Sequence, residues 1–433
     1  MKSSKRRIRR IVSGIAVTAA ITLVISGCSV TGAGSVTGAT GDNSGTINAL
    51  FMKQAGYSDT DINAMIAAFE KKYPKIKVNP TYVAYEALHD KIVTSAPAGT
   101  YDVVLTDVIW PAEFASKGLI ANLTAKFPAS WKDTMLGGAL STAQYKNQYY
   151  GVPWGPSTKL FFYNKDMLAK VGATGADVTT WAGVLDVAKK LKAQGVVQYP
   201  LSWSWSQAEA LICDYAVILG AFGGSFTDSS GKLDVNNAQG VQALTWMRQT
   251  ITDGLTDPAS LTYLENDTDK SMAAGKTAME LNWESTYADL NNSSISSIVG
   301  QSAVTVPPTG PTGLNPGVNG SMALSIPTGS KNQAAAWTLI KYLTSEPVQD
   351  KYTEGWLPNW KASYTKTAIT KSNPDVFAAG SKAYDSMINR PEVPDYNAVS
   401  QILQVQLQKA LLGSESPQKA LDDAVAQAAK AGS

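Results

Sequence analysis

Two rhythms of apolar residues run along this chain. Residues 47–52 (INALFM) form a short apolar run that reads as a strand. Ser58 or Asp59 can cap the next element, in which Ile62, Met65, Ile66 and Phe69 recur at helical spacing until FEKKYP stops it before a proline. A second strand is predicted at 76–80, a helix at 86–95 and a third strand at 101–107. Strand, helix, strand, helix, strand is the order of parallel α/β layers. Beyond a helical turn at 113–117, the runs 149–153 and 160–164 read as strands. Val184, Val187, Ala188 and Leu191 then predict a helix over 181–193. Further helices are predicted at 207–219, 238–252, 268–274, 333–344 and 416–429, with a Pro/Gly-rich loop at 307–317 suited to a crossing or a lid.

The N-terminus follows another pattern. Lys2, Lys5, Arg6, Arg7, Arg9 and Arg10 precede a short apolar run at 11–25, closed by Ile25-Ser26-Gly27-Cys28. This is a secretory signal, too short for a membrane span. Its last four residues resemble the bacterial lipobox, which implies cleavage after residue 27 and lipidation of Cys28. Residues 29–45, almost all Gly, Ser, Thr and Ala, then read as a flexible tether. The expected location is the extracytoplasmic face of the cell membrane, lipid-anchored.

Charge and cysteine usage narrow the function. Six of the 37 basic residues lie in the signal, leaving 31 against 35 acids, a formal −4. No basic patch survives, so nucleic acid is not an expected partner. With Cys28 modified, Cys213 is the one cysteine left, and no internal disulfide can form. The single histidine, His89, with no cysteine cluster, argues against a zinc site and against most Ser-His or Cys-His nucleophile schemes. No cofactor is expected.

Four passages in register carry a resemblance: FEKKYPKIKV, YDVVLTDVIWPAEFASKGLIANLT, YYGVPWGPSTKLFFYNKDML, and AAGKTAMELNWESTY with GVNGSMALSIPTGSKNQAAAWTLIKYLT. The chain resembles the extracellular solute-binding lipoproteins of sugar ABC importers, the group that includes maltose-binding protein, and DVIWPAEFASKG looks closest to members handling trehalose, maltose or related glucosides. The resemblance implies an α/β fold of two interlaced lobes with a hinge and a ligand cleft. It gives 46–154 and 282–325 to the N-lobe and 155–281 and 326–433 to the C-lobe, with crossings near Trp154, Leu281 and Ile326. It also implies a monomeric, non-catalytic receptor, with a carbohydrate ligand and the importer's membrane permease subunits as partners.

A pyranose offers an apolar C–H face and a ring of hydroxyls, so its site combines aromatic faces with carboxylates and amides. The family's positions hold such residues here: Lys53, Gln54 and Tyr57 after the first strand; Thr106, Asp107 and Trp110 after the third; Trp154 and Ser157 at the first crossing; Trp203, Trp205, Gln207 and Glu209 in SWSWSQAE; Trp283 and Glu284 after the second crossing; then Gly320 and Trp356. Other roles stay open for several. Lys53 and Gln54 can be solvated loop residues, Asp107 can cap a helix, and Trp110 and Trp154 can pack the hinge. Trp203 and Trp205 alternate with serines at strand period, so they share one face, core or cleft, and the serines favour the cleft. Trp283 with Glu284 is the favoured pair. Near Ser400 the aromatic that maltose-binding protein uses for stacking is missing, and Tyr396 or Trp356 is the substitute.

A secreted glycoside hydrolase is the rival reading. It needs two carboxylates about 5–10 Å apart across a cleft, and Asp107, Glu209 and Glu284 could serve. A receptor for peptides, polyamines or metals is a third. Metal capture lacks ligands, and a polyamine calls for more cleft acids than the sequence places.

Overall fold

The computed structural model describes residues 44–53, 56–384 and 386–431. The signal, Cys28 and nearly all of the tether lie outside these, as does Gln54. Among the described residues no helix is long and apolar enough to cross a membrane.

Among the described residues eleven strands carry the fold: β1 Gly45–Met52, β2 Ile76–Val83, β3 Val103–Asp107, β4 Gln144–Tyr145, β5 Gln148–Tyr149, β6 Val152–Gly155, β7 Lys159–Asn164, β8 Leu201–Ser202, β9 Met279–Trp283, β10 Ser302–Thr305 and β11 Met322–Ser325. The first sheet has the order β2-β1-β3-β11-β6. As the sequence predicts, it begins with parallel strands, β1 pairing β2 from Gly45–Ile76 to Met52–Val83. β11 then enters antiparallel between β3 and β6. The second sheet, β10-β7-β9-β8, is built around β7, which is antiparallel to both neighbours. The small hairpin β4–β5 turns on Lys146 and Asn147, both at positive φ (49° and 61°), the backbone that a two-residue turn matching strand twist requires.

Local chemistry explains the helices. Ser58 accepts the Asp61 N–H at the start of the helix Asp59–Lys72, and Ile62, Met65, Ile66 and Phe69 are its buried face. Thr180 likewise accepts the Gly183 N–H ahead of the helix Trp181–Ala193, which buries Trp181, Val184, Leu185, Val187, Ala188 and Leu191. In the second sheet both faces are covered. Phe161 of β7 belongs to one core, with Trp181 and Leu211, while Leu160 and Phe162 belong to another, with Phe377 and Leu290.

Among the described residues the lobes exchange chain three times, the first time at the expected place and then at others. The first crossing joins β6 to β7 through Pro156–Thr158, close to Trp154. Leu281, expected at the second, is the middle of β9. β10 stays in the second sheet because β7 needs a partner on its other edge, so the return to the first lobe comes only at β11. The stretch after Ile326, expected in the second lobe, completes the first core: Ala335, Ala336, Leu339 and Ile340 of the helix Gln333–Leu343 pack there, as do Trp356 and Trp360. The chain then passes to the second lobe, where the helices Pro374–Tyr384, Tyr396–Leu412 and Pro417–Ala431 pack.

Candidate functional site

A cleft of about 510 Å³ opens where the C-terminal ends of β1, β3 and β9 meet the crossings, the usual location of ligands in open α/β sheets. Its size is that of a small-molecule site.

Arg390 forms the centre of the site. Its guanidinium is fully buried; Nη2 donates to Asp107 Oδ1 at 2.9 Å and to the Asn319 carbonyl at 3.1 Å, and Nη1 donates to Glu209 Oε1 at 2.8 Å. Asp107 ends β3 in the first lobe, and Glu209 begins the helix Glu209–Ala221 in the second. Tyr85 donates its hydroxyl to Asp107 Oδ2 at 2.7 Å, while Tyr396 and Ser400 donate theirs to Glu209. Burial disfavours the charged guanidinium, but Asp107 above all and Glu209 more than compensate, and Arg390 stays protonated.

Three tryptophans line the cleft, each with a rear support. Trp110 lies on the Tyr85 ring (centroids 5.6 Å, 21°). Trp356 rests on Tyr57 and Trp154 (5.1 and 5.6 Å) and fills the space beside two glycines, where a Cβ on Gly155 or Gly56 would come within 2.2 or 2.3 Å of its ring. Trp283 donates its indole N–H to Glu265 Oε1 at 3.3 Å and has the Lys159 ammonium 5.3 Å from its ring centroid. Lys159 is itself fully buried and paired with Asp214 at 2.5 Å. Gly320 leaves room for that indole, since a Cβ there would lie 2.4 Å from it. Around these faces stand Gln207, Asn266, Asn397, Gln401 and Gln404, amide side chains that both donate and accept.

Comparison with known proteins places this architecture. The family model described as bacterial extracellular solute-binding protein matches residues 41–350. The chain belongs to this family. A putative binding protein of Brucella abortus is 26% identical over 364 residues, covering 83% of this chain and 87% of the relative. A probable ABC transporter-binding protein of Deinococcus radiodurans is 29% identical over 353 residues, 77% and 81% of the two chains. Among solved structures, maltose-bound MalE3 of T. maritima superposes with a TM-score of 0.82 at 28% identity, covering 89% of this chain and 99% of that one.

In this solute-binding protein the residues singled out from the sequence divide clearly. Asp107, Trp110, Ser157, Gln207, Glu209, Trp283, Gly320 and Trp356 line the cleft. Tyr57 and Trp154 are buried beneath Trp356, and Trp154 donates its indole N–H to the Leu343 carbonyl. Lys53 is an exposed loop residue. Thr106 is buried on β3, donating to the Ala323 carbonyl and meeting the Ser325 hydroxyl. Tyr396 is buried and reaches the cleft only through Glu209.

Two expectations are corrected outright. Trp203 and Trp205 do share a face, but it is the core face: both are buried, stacked at 5.2 Å and 3°, and walled by Trp181 and Trp246. Ser204, between them, turns its hydroxyl to Thr268 within the lobe. Glu284 does not line the cleft. It ties the first crossing to the second lobe, accepting from the Ser157 hydroxyl (2.8 Å), the Thr158 N–H (2.7 Å) and the Tyr384 hydroxyl (2.8 Å). Burial raises its carboxyl to about 7 despite those bonds.

Arg390 escaped the sequence reading, as did Tyr85, Glu265 and the amides of the helix Tyr396–Leu412. An isolated Ile-Asn-Arg-Pro stretch carries no local pattern. The amides Asn397, Gln401 and Gln404, spaced four and three apart, are one face of a helix, and that spacing is the one signal that could have found them.

Proposed function

We propose that this chain is the substrate-binding lipoprotein of an ABC importer, capturing a disaccharide or short oligosaccharide in the interlobe cleft and delivering it to the membrane permease. Anchoring through Cys28 on the extracytoplasmic face belongs to the same reading, as does action as a monomer without a cofactor. The observation that carries it is the pairing of three separately supported tryptophan faces, Trp110, Trp283 and Trp356, with a ring of amides and carboxylates in one cleft. Apolar sugar faces need the first, and hydroxyls need the second. Three tryptophans suit two or more sugar rings. The relatives support the carbohydrate class, MalE3 being maltose-bound and a Bacillus subtilis relative, 27% identical over 246 residues, being named an arabinooligosaccharide-binding protein.

The hydrolase reading loses its acids. Asp107 and Glu209 are both bound to Arg390, and Glu284 is spent on the crossing. A cationic solute is disfavoured on similar grounds. The cleft holds more acids than the sequence reading placed, Glu86, Glu265 and Asp267 besides Asp107 and Glu209, yet Lys270, His89 and Arg390 stand among them.

A thermal-shift screen of residues 46–433 against mono-, di- and trisaccharides tests the proposal. A ligand at a hundredfold excess over Kd adds about 2.7 kcal/mol. A rise of several degrees with one sugar class, with the sugar recovered intact, is expected. No shift with any sugar overturns the carbohydrate assignment, and hydrolysis of the sugar restores the rival.

A further inference from the structure

The chain's single histidine stands in the cleft wall. His89 lies one turn after Tyr85 on the helix Tyr85–Ser95, and each ring nitrogen meets a carboxylate oxygen: Nδ1 is 2.9 Å from Asp90 Oδ1, and Nε2 is 2.9 Å from Glu113 Oε2. A neutral imidazole has one N–H and one lone pair, whereas ionised carboxylates only accept. Both contacts are therefore satisfied together only by the imidazolium, which ties the helix Tyr85–Ser95 to the helix Pro111–Ser116. The same ring sits against Trp110 (5.5 Å, 62°) and Phe114 (5.3 Å), so Trp110 is wedged between His89 and Tyr85.

We propose that His89 is a positioning residue of the cleft: its doubly bonded imidazolium pins the Trp110 indole on which a solute stacks, and capture weakens when His89 loses its proton. The proposal rests on reading this cleft as the solute site. Proton loss sets a lone pair against a carboxylate. Asp90 is 82% exposed and turns to water, while Glu113 is 6% exposed and cannot. The ring keeps Nε2–H toward Glu113, loses its second tether and becomes free to tilt, and Trp110 loses its stop.

Other charges bear on this titration. On its own helix Glu86 and Asp90 flank His89; from the next element come Glu113 and Lys117, themselves paired at 2.6 Å; Asp107 acts through Tyr85; Glu209, Glu265, Asp267, Lys270 and Arg390 share the cleft. Burial alone would lower the imidazole, but the hydrogen bonds to Glu113 and Asp90 outweigh it and hold it above its ordinary 6.5. The change thus falls above that value. Asp214, Glu284 and Asp269 are raised to about 6, 7 and 8 by burial and titrate in the same range, so the variant rather than the profile alone isolates His89.

The experiment follows the His89 ring carbons and the Trp110 indole N–H by NMR across pH 6 to 9 in the ligand-free full chain, Trp110 being assigned by its loss in Trp110→Phe. Maltose, trehalose and maltotriose affinities are measured across the same range for wild type and His89→Gln, which keeps an amide in place of the ring but does not titrate. Expected are a common midpoint for His89 and Trp110, a wild-type Kd about three- to tenfold weaker at pH 9 than at pH 6, and no such weakening between pH 6 and pH 9 in His89→Gln. A Trp110 signal indifferent to His89, or parallel pH profiles for the two proteins, overturns the proposal. If none of the three sugars binds, the carbohydrate reading fails, and the coupled titration in the ligand-free protein still decides the role of His89.

Discussion

Arg390 and Asp107 are 283 residues apart in sequence, yet Nη2 of one donates to Oδ1 of the other at 2.9 Å. With Glu209 on the second nitrogen, one guanidinium links acids from both lobes. Removing one partner of a buried ion pair costs about 3–5 kcal/mol, because the other charge stays buried. Arg390→Gln is expected to lose that much in chemical denaturation. Arg390→Lys is expected to recover only part of it, since an ammonium lacks the planar fork that reaches both acids. Unchanged stability in Arg390→Gln would show that water, not Arg390, satisfies the two carboxylates.

Cleft and core tryptophans separate by their readouts. Trp283→Ala is expected to abolish measurable sugar binding at little cost in stability, since its ring is only partly buried. Trp203→Ala removes a fully enclosed indole that stacks on Trp205 and donates to Thr256, and is expected to cost about 3–5 kcal/mol. Denaturation and calorimetric titration on both variants check this, and a reversal of the two patterns would return Trp203 to the cleft.

Gly320 is where one added methyl group meets the platform. A Cβ there would lie 2.4 Å from the Trp283 ring, while one on Gly137 meets nothing within 4 Å. Gly320→Ala is expected to weaken sugar affinity about tenfold, an overpacking effect of about 1–3 kcal/mol, whereas Gly137→Ala is expected to leave it unchanged. Equal affinities for the two variants would mean that Trp283 moves aside freely.

The second lobe carries a cluster of acids whose protonation stabilises it. Burial, then the neighbouring Asp289, raises Asp269 to about 8, and Glu280 beside it is fully buried with neither carboxylate oxygen hydrogen-bonded. The folded state therefore holds a proton that the unfolded chain releases near 3.8. That contribution is complete below pH 3.8 and disappears as pH rises toward 8, with a slope of up to about 1.4 kcal/mol per pH unit for each excess proton. Asp269→Asn is expected to flatten this slope and to be the more stable protein at pH 8, as urea midpoints measured from pH 4 to pH 8.5 will show. A wild-type stability that rises over this range contradicts the assignment.

Local pattern made the elements legible, and long-range pairing hid the rest. The helix 181–193 has the expected bounds because capping by Thr180 and an apolar stripe are encoded within fifteen residues. The period of Trp203 and Trp205 establishes a shared face but not which face, because that depends on Trp181 and Trp246 folding over it. Glu284 sits next to a cleft tryptophan in sequence, yet β9 ends at Trp283 and the turn that follows carries Glu284 toward Ser157 and Tyr384. The lobe assignment of 326–360 follows from β11 slotting between β3 and β6, a partnership that no residue in that stretch announces.

The cleft's internal ion pairs have a consequence for the surroundings in which the protein works. Arg390 is matched by Asp107 and Glu209, His89 by Glu113, and Lys159 by Asp214, all inside the chain. Dissolved ions screen exposed, unmatched charges strongly and buried pairs weakly. The hold that these buried pairs keep on the cleft's shape therefore varies little between dilute and brackish water.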